Sequence, residues 1–221
     1  MNALILGASR GFGLELARQY RAEGVAVTAS ARDDAGLQRL AALGATPVRL
    51  DVADAAGASG LAWAIDGMAF DVVLLCAGIY GPRSTGLQAP TEAEFDAVMH
   101  TNVLGAMRVL SQVADALSPG ARVGVLSSRM GLIGPRSSNS GWLYRASKAA
   151  LNSVLKDASL AWAGRAICIA LHPGWVRTDM GGPGADIDVA QSAAGIRWVM
   201  AGLTPADNGG FFDHDGTRLP W

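Results

Sequence analysis

The chain has 221 residues, half of them hydrophobic and only 17% charged, with a formal net charge of -1. So even a balance gives no electrostatic reason to expect nucleic acid or an anionic membrane as partner. The length suits one domain with a large core, and the opening Met1 to Leu6 has neither the basic leader nor the length of a signal peptide. No apolar run approaches the ~20 residues of a membrane span, so the cytoplasm is the expected compartment. Cys76 and Cys168 both fall in apolar strand-like runs and read as buried free thiols, and three scattered histidines offer no metal-ligand spacing.

Short apolar runs predict strands at Ala3 to Leu6, Val25 to Ala31, Val48 to Leu50, Val72 to Ala77, Arg122 to Leu126, Ile167 to Leu171 and Gly210 to Asp213. Amphipathic stretches predict helices at Phe12 to Glu23, Leu37 to Leu43, Ala56 to Ile65, Thr91 to Leu117, Leu143 to Ala163 and Val189 to Met200. Gly24 and Gly44 stand where helix C-caps are wanted. This alternation predicts a single-domain α/β fold over residues 1–221, a Rossmann-type doubly wound parallel sheet of about seven strands with helices on both faces. The Gly- and Pro-rich stretch Gly181 to Asp186 reads as a loop over the carboxyl edge of the sheet, where ligands bind in such folds.

The first strand runs straight into Gly7-Ala8-Ser9-Arg10-Gly11-Phe12-Gly13 and then a helix. Glycines here permit a tight turn and close approach of a pyrophosphate to free N–H groups at the helix start. No Gly-Lys-Ser/Thr follows, which disfavours a phosphate-transferring loop. After the second strand, Arg32 falls where dinucleotide folds read the adenosine ribose, and with Arg10 it suits a 2′-phosphate, pointing to NADP(H) rather than NAD(H). Asp33 and Asp34 leave an acidic contact to the ribose open.

Tyr144 and Lys148 share one helix face at i, i+4 spacing, and a nearby ammonium favours phenolate, drawing the phenol toward general acid–base duty. Upstream, Ser127 and Ser128 end a strand at the same carboxyl edge, where a hydroxyl can meet a carbonyl oxygen, and no Gly-x-Ser-x-Gly elbow surrounds them.

Together these residues resemble the short-chain dehydrogenase/reductase family. Gly7, Gly11 and Gly13 match its Gly-x-x-x-Gly-x-Gly loop; Asp51 and Val52 match its adenine-contacting pair; Asn102, Ser128, Tyr144 and Lys148 match its tetrad. His172-Pro173-Gly174-Trp175-Val176-Arg177-Thr178 is similar to its Pro-Gly segment, with Val176 and Thr178 meeting the nicotinamide carboxamide and phosphates. The resemblance implies a cofactor site of Gly7, Ser9, Arg10, Gly11, Phe12, Gly13, Arg32, Asp51, Val52, Ala77, Gly78, Pro173, Gly174, Val176 and Thr178, joined by Tyr144 and Lys148. It further implies that Tyr144 protonates a carbonyl oxygen, Ser128 positions it, Lys148 tunes the phenol and holds the ribose, and Asn102 anchors a relay water.

Two features depart from the family pattern. Cys76-Ala77-Gly78 replaces Asn-Ala-Gly, removing that side chain's hydrogen bonds, and the Ser128 to Tyr144 separation is lengthened by a polar insertion at Arg136 to Gly141. The Tyr-Arg-x-Ser-Lys-Ala-Ala-Leu-Asn run and the Leu219-Pro220-Trp221 ending resemble the sniffer and C-factor carbonyl-reductase-like branch. The expected function is an NADP(H)-dependent oxidoreductase acting on a small carbonyl or alcohol; the alternative is an NADP(H)-binding signalling or regulatory protein of the C-factor type. The short segment between Thr178 and Val189 implies an open cleft, and apolar residues at Val103, Met107, Leu110, Leu151, Leu155 and Trp162 suggest a homodimer through their helices.

Overall fold

The computed structural model describes residues 1–221. In chain order the strands are β1 Asn2–Leu6, β2 Ala26–Ala31, β3 Thr46–Arg49, β4 Phe70–Leu75, β5 Leu117–Leu126, β6 Ala166–His172, β7 Phe211–Asp213 and β8 Arg218–Leu219. The helices are α1 Gly11–Ala22, α2 Asp34–Ala42, α3 Ala55–Ser59, α4 Leu61–Ala64, α5 Glu92–Met99, α6 Gly105–Val113, α7 Trp142–Ala161 and α8 Val189–Gly202. All strands join one sheet in the order β3-β2-β1-β4-β5-β6-β7-β8, parallel throughout except for β8, which pairs antiparallel with β7. The order reverses at β1, leaving β2 on one side and β4 on the other, and this switch point opens the crevice at the carboxyl ends.

Alternating residues of each strand enter different cores. Leu4, Leu6, Val73, Leu75, Val123 and Val125 pack with Val109, Val113, Leu151 and Leu155 on one face; Ala3, Ile5, Val72, Leu74, Ile169 and Leu171 pack with Leu16, Ile196 and Met200 on the other. Each fully buried Leu, Ile or Val contributes roughly 1.5 to 3 kcal/mol, so two filled faces hold the sheet flat against its helices. At Gly124 the packing leaves no room for a side chain, because a Cβ there would come within 2.7 Å of Leu171, 2.8 Å of Leu74 and 3.0 Å of Met200. No helix is long and apolar enough to cross a membrane.

The structure corrects several element boundaries. The sheet has an eighth strand; Arg218–Leu219 is too short to stand out as an apolar run, and it folds back through a turn at Gly216, whose φ is +86°. The helix predicted over Thr91 to Leu117 runs on through α5 and α6 with helical backbone throughout, widening to a π-turn at His100–Leu104 between them; it ends in a 3-10 turn at Ala114–Ala116, and Leu117 already belongs to β5. Gly105 brings α6 close to Val52, whose Cγ2 would lie 2.9 Å from a Cβ at that glycine. The helix predicted over Ala56 to Ile65 divides at Gly60 into two single turns. Cys168 is fully buried in β6 as expected, whereas Cys76 lies just beyond β4, half-buried at the edge of the crevice.

Candidate active site

The crevice is a cavity of about 670 Å³ along the carboxyl ends of the strands, within the range of small-molecule and cofactor sites. Its walls include Gly7, Ser9, Arg10, Gly11, Phe12, Gly13, Arg32, Asp51, Val52, Ala77, Gly78, Ser128, Tyr144, Lys148, Pro173, Gly174, Val176 and Thr178. Asn102 does not line it, nor do Asp33 and Asp34.

Glycines shape one end. Gly7 and Gly11 adopt φ of +89° and +55°, a left-handed backbone that side chains resist. A Cβ at Gly13 would lie 2.3 Å from the Gly7 carbonyl oxygen, so this glycine lets the turn close on itself, whereas one at Gly11 would meet only Thr178 at 3.9 Å, on the open side. The Gly7 N–H donates to Ser30 Oγ at 2.8 Å, and Arg39 Nε donates to the Ser9 carbonyl at 2.9 Å, bracing the loop from behind. Helix α1 begins at Gly11 with no side chain capping its free N–H groups, the arrangement in which a bound anion supplies the missing acceptors.

At the ribose end, Asp33 caps α2 by accepting from the Gly36 N–H at 2.7 Å, and Asp34 pairs with Arg49. Both carboxylates are engaged with the protein, while the exposed Arg32 guanidinium lines the cavity without a carboxylate partner. Arg10, 70% exposed, pairs with Asp179 at 3.0 Å across the mouth. Asp51 uses one oxygen to accept from the Ala53 N–H at 3.0 Å and so shapes its own turn. Thr178 Oγ1 accepts from the Gly181 N–H at 3.2 Å.

At the other end, Ser128, Tyr144 and Lys148 converge despite the long insertion between Ser128 and Tyr144. Ser128 is buried and caps a 3-10 turn, Arg129–Gly131, by accepting from the Met130 N–H at 3.1 Å. That turn ends in Gly131, where a Cβ would lie 2.9 Å from the Lys148 backbone, so the turn seats directly on α7. The inserted residues Arg136 to Ser140 are exposed and loop outward, returning through Gly141 at φ +64° to start α7. The Gly141 N–H donates to the Ser84 carbonyl at 3.1 Å and Trp142 Nε1 to that of Gln88 at 3.0 Å. Tyr144 follows in the first turn of α7, with Lys148 one turn later.

Burial decides the electrostatics here. Tyr144 is buried, which pushes its phenol up to about 12, while the Ser128 hydroxyl opposes the rise and Tyr80 adds to it. Lys148 is buried too, which pulls its ammonium down to about 8, with the neighbouring Cys76 opposing. This corrects the expectation that Lys148 draws the phenol downward: its Nζ donates to the Leu126 carbonyl at 2.8 Å and lies 5.7 Å from the centre of the Tyr144 ring, and desolvation outweighs that attraction. The phenol therefore keeps its proton at neutral pH.

Asn102 sits in the π-turn, buried, with three hydrogen bonds to its side chain. Its Oδ1 accepts from the Ile79 N–H at 2.8 Å, and its Nδ2 donates to the Ile79 carbonyl at 2.8 Å and to Ser147 Oγ at 2.9 Å. The side chain clamps the loop after β4 to α7, with both Nδ2 hydrogens used and one lone pair of Oδ1 left over. The loop so clamped begins at Cys76, whose N–H donates to the Leu6 carbonyl at 2.8 Å. Gly78 follows, where a Cβ would crowd Asn102 Oδ1 at 3.3 Å and Lys148 Nζ at 3.5 Å.

Several wall residues were not singled out in the sequence: Tyr80, Arg83, Arg129, His172, Asp179 and Met180. Tyr80 stacks on Tyr144, and Arg83 Nη2 donates to the Met180 carbonyl at 2.9 Å, so the cleft expected to be open is spanned at one point. His172 precedes the Pro-Gly pair and ends β6; burial pushes it down to about 4, with Asp213 opposing, which keeps the ring neutral. A sequence signal existed only for His172, through its adjacency to Pro173; the others become neighbours of the site through the fold.

A model of the short chain dehydrogenase family matches residues 1–186, and the chain belongs to that family. Its relatives include the C-signal protein of Myxococcus xanthus, 38% identical over 154 residues, which are 68% of this chain and 92% of that protein. A putative short-chain dehydrogenase/reductase from Burkholderia multivorans, solved with bound NADP, superposes with a TM-score of 0.90 at 30% identity, covering 100% of this chain and 99% of that one. The carbonyl reductase Sniffer of D. melanogaster gives the same TM-score at 29% identity and the same coverage. Similarity to C-signal and to Sniffer sets the chain in the branch of the family that the sequence resembles.

Proposed function

We propose that this protein is an NADP(H)-dependent carbonyl reductase. The observation that carries this reading is the meeting, in one cavity, of a buried protonated phenol (Tyr144), a buried hydroxyl (Ser128) and a buried amine (Lys148) with a glycine loop and an unpaired arginine, Arg32. Bound NADP in the Burkholderia relative supports the cofactor. The residues also fit the group: left-handed glycines at the helix start can receive the pyrophosphate, and Arg32 offers charge-assisted hydrogen bonds to a 2′-phosphate while Asp33 and Asp34 are held elsewhere.

When bound, NADPH supplies a hydride to the carbonyl carbon. Ser128 Oγ donates a hydrogen bond to the carbonyl oxygen and orients it. Tyr144 gives that oxygen its phenolic proton as negative charge develops, and burial keeps the phenol in the protonated form this step requires. Lys148, anchored through Leu126, offers its other N–H groups toward the ribose and places positive charge beneath the phenol. Asn102 acts through structure, clamping Ile79 and Ser147 beside Lys148. We also propose that two copies pair through α5, α6 and α7.

The resemblance to C-signal favours a second reading, a signalling or regulatory protein that binds NADP(H) with slow or dispensable turnover. A panel of aldehydes, ketones and quinones, followed by absorbance of NADPH and of NADH, separates the two. NADPH-preferring turnover of any member supports the reductase; tight NADPH binding without turnover favours the regulator.

A further inference from the structure

We propose that the substrate end of the cavity selects carbonyl compounds that also carry a carboxylate, recognised by Arg129 and Arg83. The inference rests on the reductase reading above and adds a substrate class to it.

Arg129 directly follows Ser128 in the 3-10 turn, so its position is tied to that of the hydroxyl. Its Nη2 lies 2.5 Å from Oδ2 of Asp213, a carboxylate only 3% exposed at the end of β7, while the guanidinium itself is 55% exposed. The second oxygen of Asp213 accepts from the His214 N–H at 2.7 Å and faces His214 Nδ1 at 2.5 Å. Asp213 thus stands behind the wall, occupied by protein donors, and holds Arg129 in one orientation. Arg129 lines the cavity, and its N–H groups not used on Asp213 make no hydrogen bond to a protein acceptor.

Arg83 approaches from the loop after β4. Its guanidinium lies 5.2 Å over the centre of the Tyr80 ring, and Tyr80 stacks on Tyr144. One N–H is spent on the Met180 carbonyl, and no carboxylate pairs with the rest. A guanidinium stacked on a ring keeps its in-plane donors available, in the fork geometry that suits a carboxylate.

The acids of the cavity wall do not oppose this charge. Asp51 belongs to the adenosine end and shapes its own turn, and Asp179 pairs with Arg10. The substrate end therefore presents two guanidinium groups, Arg83 without a carboxylate partner and Arg129 paired from behind by Asp213, and no free anion, within a wall that also offers Tyr80, Met130 and Met180 to the body of a substrate. A neutral carbonyl would leave Arg83 without an anion and Arg129 with Asp213 alone; a carboxylate would pair with Arg83 and take the remaining donors of Arg129.

The test compares 4-carboxybenzaldehyde with its neutral methyl ester as substrates with NADPH, in the wild type, R83Q, R129Q and the double variant. The wild type is expected to show a higher kcat/KM for the acid, and the preference should shrink as salt rises. Each single variant is expected to lower the acid-to-ester ratio by about 10-fold, with the NADPH dissociation constant unchanged. Should R129Q fold poorly because Asp213 is left unpaired, R129Q combined with D213N removes the buried charge and reads the same ratio. Equal or better use of the ester by the wild type overturns the proposal and leaves the reductase standing, as does an unchanged ratio in the variants. A weakened NADPH affinity in place of a changed ratio also overturns it, by assigning these arginines to the cofactor. Reduction of neither compound, nor of any member of the broader panel, overturns both readings together.

Discussion

The ring of Tyr80 lies stacked on that of Tyr144, with centroids 4.6 Å apart and planes 22° from parallel. Gly141 stands behind it, where a Cβ would come within 2.4 Å of the Tyr80 hydroxyl, so Tyr80 is wedged between the start of α7 and the proposed proton donor. Tyr80→Ala should release the Tyr144 ring. Aromatic pairs contribute about 0.5 to 1.5 kcal/mol beyond their buried area, so a fall in kcat of roughly 3- to 10-fold is expected, with a modest drop in Tm. Tyr80→Phe keeps the stack and should behave as wild type in the same steady-state assays.

Cofactor choice turns on the end of β2. Asp33 spends one oxygen capping α2 and Asp34 pairs with Arg49, while Arg32 has no carboxylate partner. Arg32→Asp should weaken NADPH binding by ~10- to 100-fold while changing NADH affinity little, the range for a lost hydrogen bond to a charged group. Fluorescence titration of both reduced cofactors measures this, and unchanged discrimination would remove Arg32 from the site.

Lys148 should set a pH limit on cofactor binding. Burial lowers its ammonium to about 8, so the group is charged below that value and neutral above it. NADPH affinity of the free protein is therefore expected to fall as pH rises through about 8, since the charge-assisted hydrogen bonds from the ammonium to the cofactor's ribose weaken with loss of the proton. Lys148→Met should bind weakly at every pH and abolish that dependence. Tyr144, held up to about 12, should contribute no loss of reduction anywhere below that range.

Most of the apolar residues that suggested self-association are spent inside the monomer: Val103, Leu110, Leu151 and Leu155 are buried in its own core. What remains outward on these helices is Phe95 at 47%, Met107 at 50% and Leu160 at 63% exposure. If they form the proposed pairing face, light scattering at micromolar concentration should give twice the monomer mass, and Met107→Glu should halve it. A monomeric wild type would remove the dimer.

The strands and the glycine loop were legible because both are local signals, an apolar run and a turn whose glycines are needed at particular backbone angles. Ser128, Tyr144 and Lys148 were legible through their order along the chain, and the fold does bring them to one cavity. Three things were not. Whether Asp33 and Asp34 are available depends on a cap and on Arg49, which belongs to a neighbouring strand. The balance between Lys148 and the Tyr144 phenol depends on how deeply both are buried, which spacing does not encode. Arg129 reaches the cavity already paired with Asp213, 84 residues further along the chain, and no local pattern announces a contact of that range.

The central claim is that Tyr144 donates the proton in reduction, and removing one oxygen atom tests it most directly. Tyr144→Phe keeps the ring against Tyr80 and the cavity wall, so NADPH affinity should stay near that of the wild type. Turnover of any carbonyl the wild type reduces should fall by ~10²- to 10⁴-fold, the usual contribution of general acid catalysis. Wild-type turnover in Tyr144→Phe, measured by loss of NADPH absorbance alongside an unaltered cofactor titration, would contradict the assignment.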